Sequence, residues 1–134
     1  VRATKANPKY GHVFGAMRGA DRHEIVRKHP RPDAIHVSKI ASRRFLENMN
    51  RIVEKCDDLA SATGCWLFIG AQHPSSVGST IHYTSPRLLR DAPARVEDMA
   101  NDMHELMTDL LQSRRSDALT LSRQLKKSQA EKDS

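Results

Sequence analysis

The run from Ser38 to Thr84 constrains this chain more than any other part of it. Ile40, Phe45, Met49, Ile52, Val53, Cys56, Leu59, Ala60 and Thr63 recur at three- and four-residue steps, which places them on one stripe of an amphipathic helix. Ser38 reads as its N-cap, and Gly64 as the left-handed residue that stops it, with Cys65 supplying a small apolar contact just beyond. Such a helix spans about 39 Å. An apolar strand, Trp66-Leu67-Phe68-Ile69, follows at once, and the loop Gln72–Ser79 leads to a second strand, Thr80–Thr84, with alternating pattern. The first strand, apolar on both faces, reads as central, and the second as nearer an edge. One hairpin cannot cover so long a stripe, so a partner helix is expected, and a second copy of the chain is the simplest one.

Beyond Ser85-Pro86 the helical period returns in Val96, Met99, Met103, Leu106 and Leu110, with a start near Asp91 or Pro93. The stripe breaks at Ser113–Asp117, and residues 113–134 read as a polar helical extension or tail. Upstream, residues 1–37 carry Pro8, Pro30, Pro32, Gly11, Gly15 and Gly19, a density that forbids a long helix. A basic, mostly extended arm is expected there, with room for one short helix over about Ala20 to Lys28. The organisation is therefore an arm (1–37), a folded region (38–112) and an extension (113–134). The fold class is α+β: a long N-terminal amphipathic helix, an antiparallel hairpin, and a C-terminal helix packed on the sheet.

Charge is segregated along these segments. Residues 1–44 hold 11 basic and three acidic side chains, residues 45–90 are neutral, and residues 91–134 are slightly acidic, within a net charge of +6. A basic segment ahead of a folded core is the electrostatic footprint of a polyanion partner, nucleic acid before an anionic membrane. Phosphate contacts are expected from Arg22, Arg27, Lys28 and Arg31 in the arm and from Lys39, Arg43, Arg44, Arg51 and Lys55 on the polar side of the long helix. Glu47, Glu54, Asp57 and Asp58 share that side and oppose phosphate, and Glu47 with Arg51 forms an ordinary i,i+4 pair.

Catalytic constellations are weak, and no enzyme activity or cofactor is expected. Asp57 and Asp58 are adjacent on a helix and point about 100° apart, so they do not converge as an acid–base pair. Cys56, Cys65, His73 and His82 match no zinc spacing, and Cys56 lies in the apolar stripe. The segment Gly70–Thr80 lacks the lysine and the following helix of a phosphate loop. Two cysteines make no disulfide framework, and no apolar stretch reaches the length of a membrane span. A reducing intracellular setting is expected; a start at Val1 reads as a processed or trimmed end, so targeting signals lie outside what the sequence tells.

The order helix, hairpin, helix, with Phe45, Ile52-Val53, Lys55, Leu59, Gly64, the strand Leu67-Phe68-Ile69 and Tyr83-Thr84-Ser85-Pro86, resembles the MADS-box domain of eukaryotic transcription factors over about residues 45–88. The resemblance implies a nuclear, DNA-binding homodimer. Its long helices lie antiparallel over DNA, and its hairpins join into a four-stranded sheet. The dimer interface it implies comprises Phe45, Met49, Ile52, Val53, Cys56, Leu59, Trp66, Leu67, Phe68, Ile69, Ile81 and Tyr83. Departures fall at the DNA-contacting positions: Leu46-Glu47-Asn48-Met49 replaces a basic run, Arg51 stands for a glycine, and Glu54 for one of two lysines. The loop from Gln72 to Ser79 is also longer than the family's usual turn. What remains is the dimer core, so a protein-interaction module of the same fold is the alternative, with the Met99, Met103 and Met107 face as an adaptable partner surface or simply as core.

Overall fold

The computed structural model describes residues 2–76 and 78–133, arranged as two compact units, Val1–Ile35 and His36–Ser134.

The first unit is an irregular antiparallel ribbon. Strands β1 (Met17–Arg18) and β2 (Asp21–Arg22) pair across Gly19-Ala20, with Met17 opposite Arg22 and Arg18 opposite Asp21. Gly19 has φ 63° while Ala20 has no positive φ, which is what a type II′ hairpin turn demands. The two legs stay together beyond the strands, through a His12–Val26 bridge and the bonds Val13 N–H to Ile25 O (2.8 Å) and Arg27 N–H to Gly11 O (2.9 Å). The stretch read as an extended arm thus has local structure of its own. Glycine and proline do exclude helix from it, but the short helix considered over Ala20–Lys28 gives way to turn, strand and bridge.

The second unit begins with α1 (Ser38–Thr63), whose 26 residues match the predicted helix. Ser38 is its first residue rather than its cap. Val37 occupies that position and offers no side-chain hydrogen bond. The other end is as expected: Gly64 is left-handed (φ 65°, ψ 30°) and its N–H returns to Ala60 O at 2.9 Å. Strands β3 (Phe68–Ala71) and β4 (Ile81–Thr84) then pair antiparallel, with Phe68 opposite Thr84 and Gly70 opposite His82. β3 starts two residues later than the apolar run suggests, because Ser85 takes over the ladder there. Its Oγ accepts from Leu67 N–H at 3.0 Å, and its own N–H donates to Leu67 O at 2.8 Å.

The short helix α2 (Pro86–Asp91) was not anticipated as a separate element. Ser85 caps it and Pro86 occupies its first turn. The long helix α3 (Pro93–Asp133) follows and runs through Ser113–Asp117 without a break. No glycine or proline occurs after Pro93, so losing the apolar stripe removes the core contact without removing the helix.

The hairpin lies between helices. Alternation puts Phe68, Gly70, His82 and Thr84 on one face and Ile69, Ala71, Ile81 and Tyr83 on the other. The first face meets α3: a Cβ on Gly70 would fall on the Met103 thioether, and His104 Nε2 lies 3.3 Å from His82 Nδ1. The second face meets α1, where Tyr83 Oη donates to Asp57 Oδ1 at 3.0 Å. This explains an apolar strand in a sheet of only two strands; each strand retains one edge that no other described strand pairs. Neither strand is therefore central within one chain. Among the described residues of this unit, Met49 and Ala60 of α1 and Val96 and Ala100 of α3 are the buried apolar ones.

The Tyr83 hydroxyl is held above its ordinary value of 10.0, first by loss of solvent and then by its bond to Asp57. A raised value means the folded state holds that proton more tightly. The contribution is complete below pH 10 and is lost as pH rises past the folded value. Denaturant midpoints measured across this range should fall for the parent chain above pH 10, and fall less for Tyr83→Phe.

Candidate nucleic-acid interface

The cations predicted to meet phosphate divide into two kinds. In the first unit, Arg27, Lys28 and Arg31 serve the local backbone. Arg27 Nε donates to His29 O at 3.1 Å, Lys28 Nζ to Ala3 O at 3.0 Å, and Arg31 Nη2 to His12 O at 3.1 Å. Arg18 and Arg22 instead stand exposed on the two strands of the ribbon, and neither donates a side-chain hydrogen bond among the described residues. Arg18 was missed by the sequence reading. Its signal was present in the Arg-Gly-Ala-Asp-Arg turn, where a two-residue hairpin sets Arg18 opposite Asp21 and Arg22 one pair further on, on the other face of the ribbon.

On α1 all five predicted cations are exposed: Lys39, Arg43, Arg44, Arg51 and Lys55. Arg44, Arg51 and Lys55 follow one another at steps of seven and four residues, and so do Glu47, Glu54 and Asp58 three residues further on. The helix therefore presents a basic stripe beside an acidic one. Lys39 and Arg43 precede that compensation and lie at the helix start, whose first turn contains no acid. Among the described residues the ion pairs both converge on Asp91, from Arg87 and Arg90 at 3.8 Å. No predicted phosphate ligand has a carboxylate within ion-pair distance among the described residues, so the Glu47–Arg51 pair expected from the sequence is not formed.

The residues assigned to a dimer interface fall in unequal places. Met49 is 6% exposed and belongs to the core of its own protomer. Phe45, Val53, Cys56, Leu67, Phe68, Ile69, Ile81 and Tyr83 are half-buried. Ile52, Leu59 and Trp66 are exposed apolar side chains on the same unit, and Trp66, assigned to the dimer interface, is 67% exposed within one chain with its indole N–H donating to Asp91 Oδ2 at 2.9 Å. Of the methionine face, Met103 is packed at Gly70 and Met99 is exposed, while Met107 with Leu110, Leu111 and Pro74 lines a concavity of about 400 Å³.

Three imidazoles have local partners. His73 lies 5.7 Å from the Phe45 ring and accepts from Ser75 N–H at 3.1 Å. His82 stacks on Phe68 at 5.9 Å and meets His104 edge-on. Among the described residues no helix is long and apolar enough to cross a membrane. Searches of family models, of curated proteins and of solved structures returned no match to this chain.

Proposed function

We propose that the chain is a dimeric nucleic-acid-binding module of MADS-box-like architecture, acting in transcription regulation in the nucleus and holding duplex DNA mainly through phosphate contacts. The observation that carries this reading is the segregation of charge: a surplus of eight positive charges in residues 1–44 with no carboxylate within ion-pair distance of any of those cations among the described residues. Cations paired with carboxylates are solubilising ornaments of a surface. Cations left without a partner are available to a polyanion.

The contacts are sequence-independent, made by Arg18 and Arg22 in the first unit and by Lys39, Arg43 and Arg44 at the start of α1. Arg51, between Glu47 and Glu54, and Lys55, between Glu54 and Asp58, contribute less than Arg44, which has an acid on one side only. Dimerisation rests on separate support, namely the exposed Ile52, Leu59 and Trp66 and the free edges of β3 and β4. In the dimer the α1 helices pair antiparallel and the two hairpins form one four-stranded sheet.

The second reading, a protein-interaction module without DNA binding, is favoured by the acidic stripe of Glu47, Glu54 and Asp58 and by the apolar concavity at Met107. Light scattering should report a dimer at micromolar concentration and a monomer for Leu59→Glu, which places a charge in the proposed apolar interface. A parent chain that stays monomeric at high micromolar concentration removes the MADS-like architecture. Anisotropy of a labelled duplex decides between the two readings, since only the first expects binding.

A further inference from the structure

We infer that Phe14 is a stacking platform for an unpaired base of a single-stranded nucleic acid. The inference rests on the nucleic-acid reading above and adds unpaired strands to the duplex proposed there.

Phe14 is an aromatic residue that is 80% exposed in a unit whose only buried apolar residue among those described is Ala3. Folding therefore gains almost nothing from it, and yet its ring is held. The Arg31 guanidinium lies 4.8 Å from the ring centroid, and the same group donates to His12 O at 3.1 Å, so the backbone fixes the cation and the cation fixes the ring. Gly15 follows with φ 87°, a left-handed conformation that turns the chain away and leaves Phe14 at the bend. The ring borders a concavity of about 410 Å³ with Arg22 and Glu24 on its rim, ample for one nucleobase.

A preorganised aromatic face backed by a guanidinium suits a flat π-system better than an aliphatic partner. The surrounding charge identifies the class: residues 1–35 carry eight basic and three acidic side chains, and Arg22 beside the concavity offers a phosphate donor. In a duplex the faces of the bases are covered by their neighbours, whereas an unpaired base presents its face to an aromatic side chain. Phe14 supplies the base contact and Arg22 the backbone contact.

The test uses the full chain, with anisotropy of labelled 12-nucleotide oligo-dT, a 12-base-pair duplex and a heparin fragment, the last a polyanion with no bases. Phe14→Ala should weaken oligo-dT binding by about 5- to 150-fold, the range for losing one base–aromatic stack, and leave heparin and duplex affinities unchanged. Phe14→Trp should keep the parent affinity for oligo-dT, and its added indole fluorescence should be quenched by the oligonucleotide but not by heparin. Equal losses for all three ligands in Phe14→Ala, no loss for any, or an unquenched indole in Phe14→Trp overturns the inference. A parent chain that binds the duplex but not oligo-dT overturns this inference alone, and one that binds no nucleic acid overturns the proposed function with it.

Discussion

Ser85→Ala should destabilise the second unit by about 3 kcal/mol, more than its size suggests. Ser85 is fully buried, and its one hydroxyl serves both the link from α1 to β3 and the start of α2. It donates to Cys65 O at 2.9 Å, accepts from Leu67 N–H at 3.0 Å, and accepts from Leu88 N–H at 3.4 Å as the N-cap of α2. Loss of a helix cap costs about 1 kcal/mol, and backbone groups left buried without a partner cost about 1–3 kcal/mol more. The methyl of alanine fits the space, so no new contact offsets these losses. Urea unfolding followed by circular dichroism measures the change, and a loss below about 1 kcal/mol would show that water reaches the site and that Ser85 does not tie α1, β3 and α2 together.

The second large effect concerns binding. Replacing Lys39, Arg43 and Arg44 with serine should weaken duplex affinity by two to three orders of magnitude near 0.1 M salt, because each phosphate neutralised contributes a slope of about −0.9 in log affinity against log salt. All three side chains are exposed at the start of α1 and form no ion pair among the described residues, so dimerisation and melting should be nearly unchanged. The loss should be the same for duplexes of different sequence. A sequence-dependent loss would mean that these residues read base edges, and no loss would mean that α1 does not lie on the duplex.

Much of the second unit is legible in the sequence because its signals are local. Eight apolar positions and Thr63 at helical spacing, with one glycine, fix α1 to within a residue at either end. Two features there depend on a residue distant in sequence and escape a local reading. The start of β3 is set by Ser85 rather than by the apolar run, and Trp66, outside the ladder, turns to Asp91 instead of the sheet. At Ser113–Asp117 the apolar stripe ends but the helix does not, so of the two readings, helical extension or tail, the structure has the helical extension; with neither glycine nor proline to intervene, nothing there stops the helix.

The candidate site was legible as charge and not as geometry. Counting lysines and arginines locates the basic segment, but the count treats Arg22 and Arg31 alike. The fold spends Arg31 on His12 O and Phe14, while Arg22 donates no side-chain hydrogen bond among the described residues. Phe14 itself carried no signal, since a phenylalanine between glycines reads as ordinary apolar content until its exposure is known. The His82–His104 contact joins residues 22 apart in sequence and became visible only when α3 was laid on the hairpin.

The central claim is that exposed, unneutralised cations bind the phosphates of a nucleic acid, and a salt titration of duplex binding by the full chain tests it most directly. The affinity should fall steeply from 50 to 200 mM salt, with a log–log slope of about −3 or steeper, corresponding to three or more phosphates neutralised. An absence of binding at 50 mM salt, or a slope shallower than about −1, would contradict the claim and leave the protein-interaction module in its place.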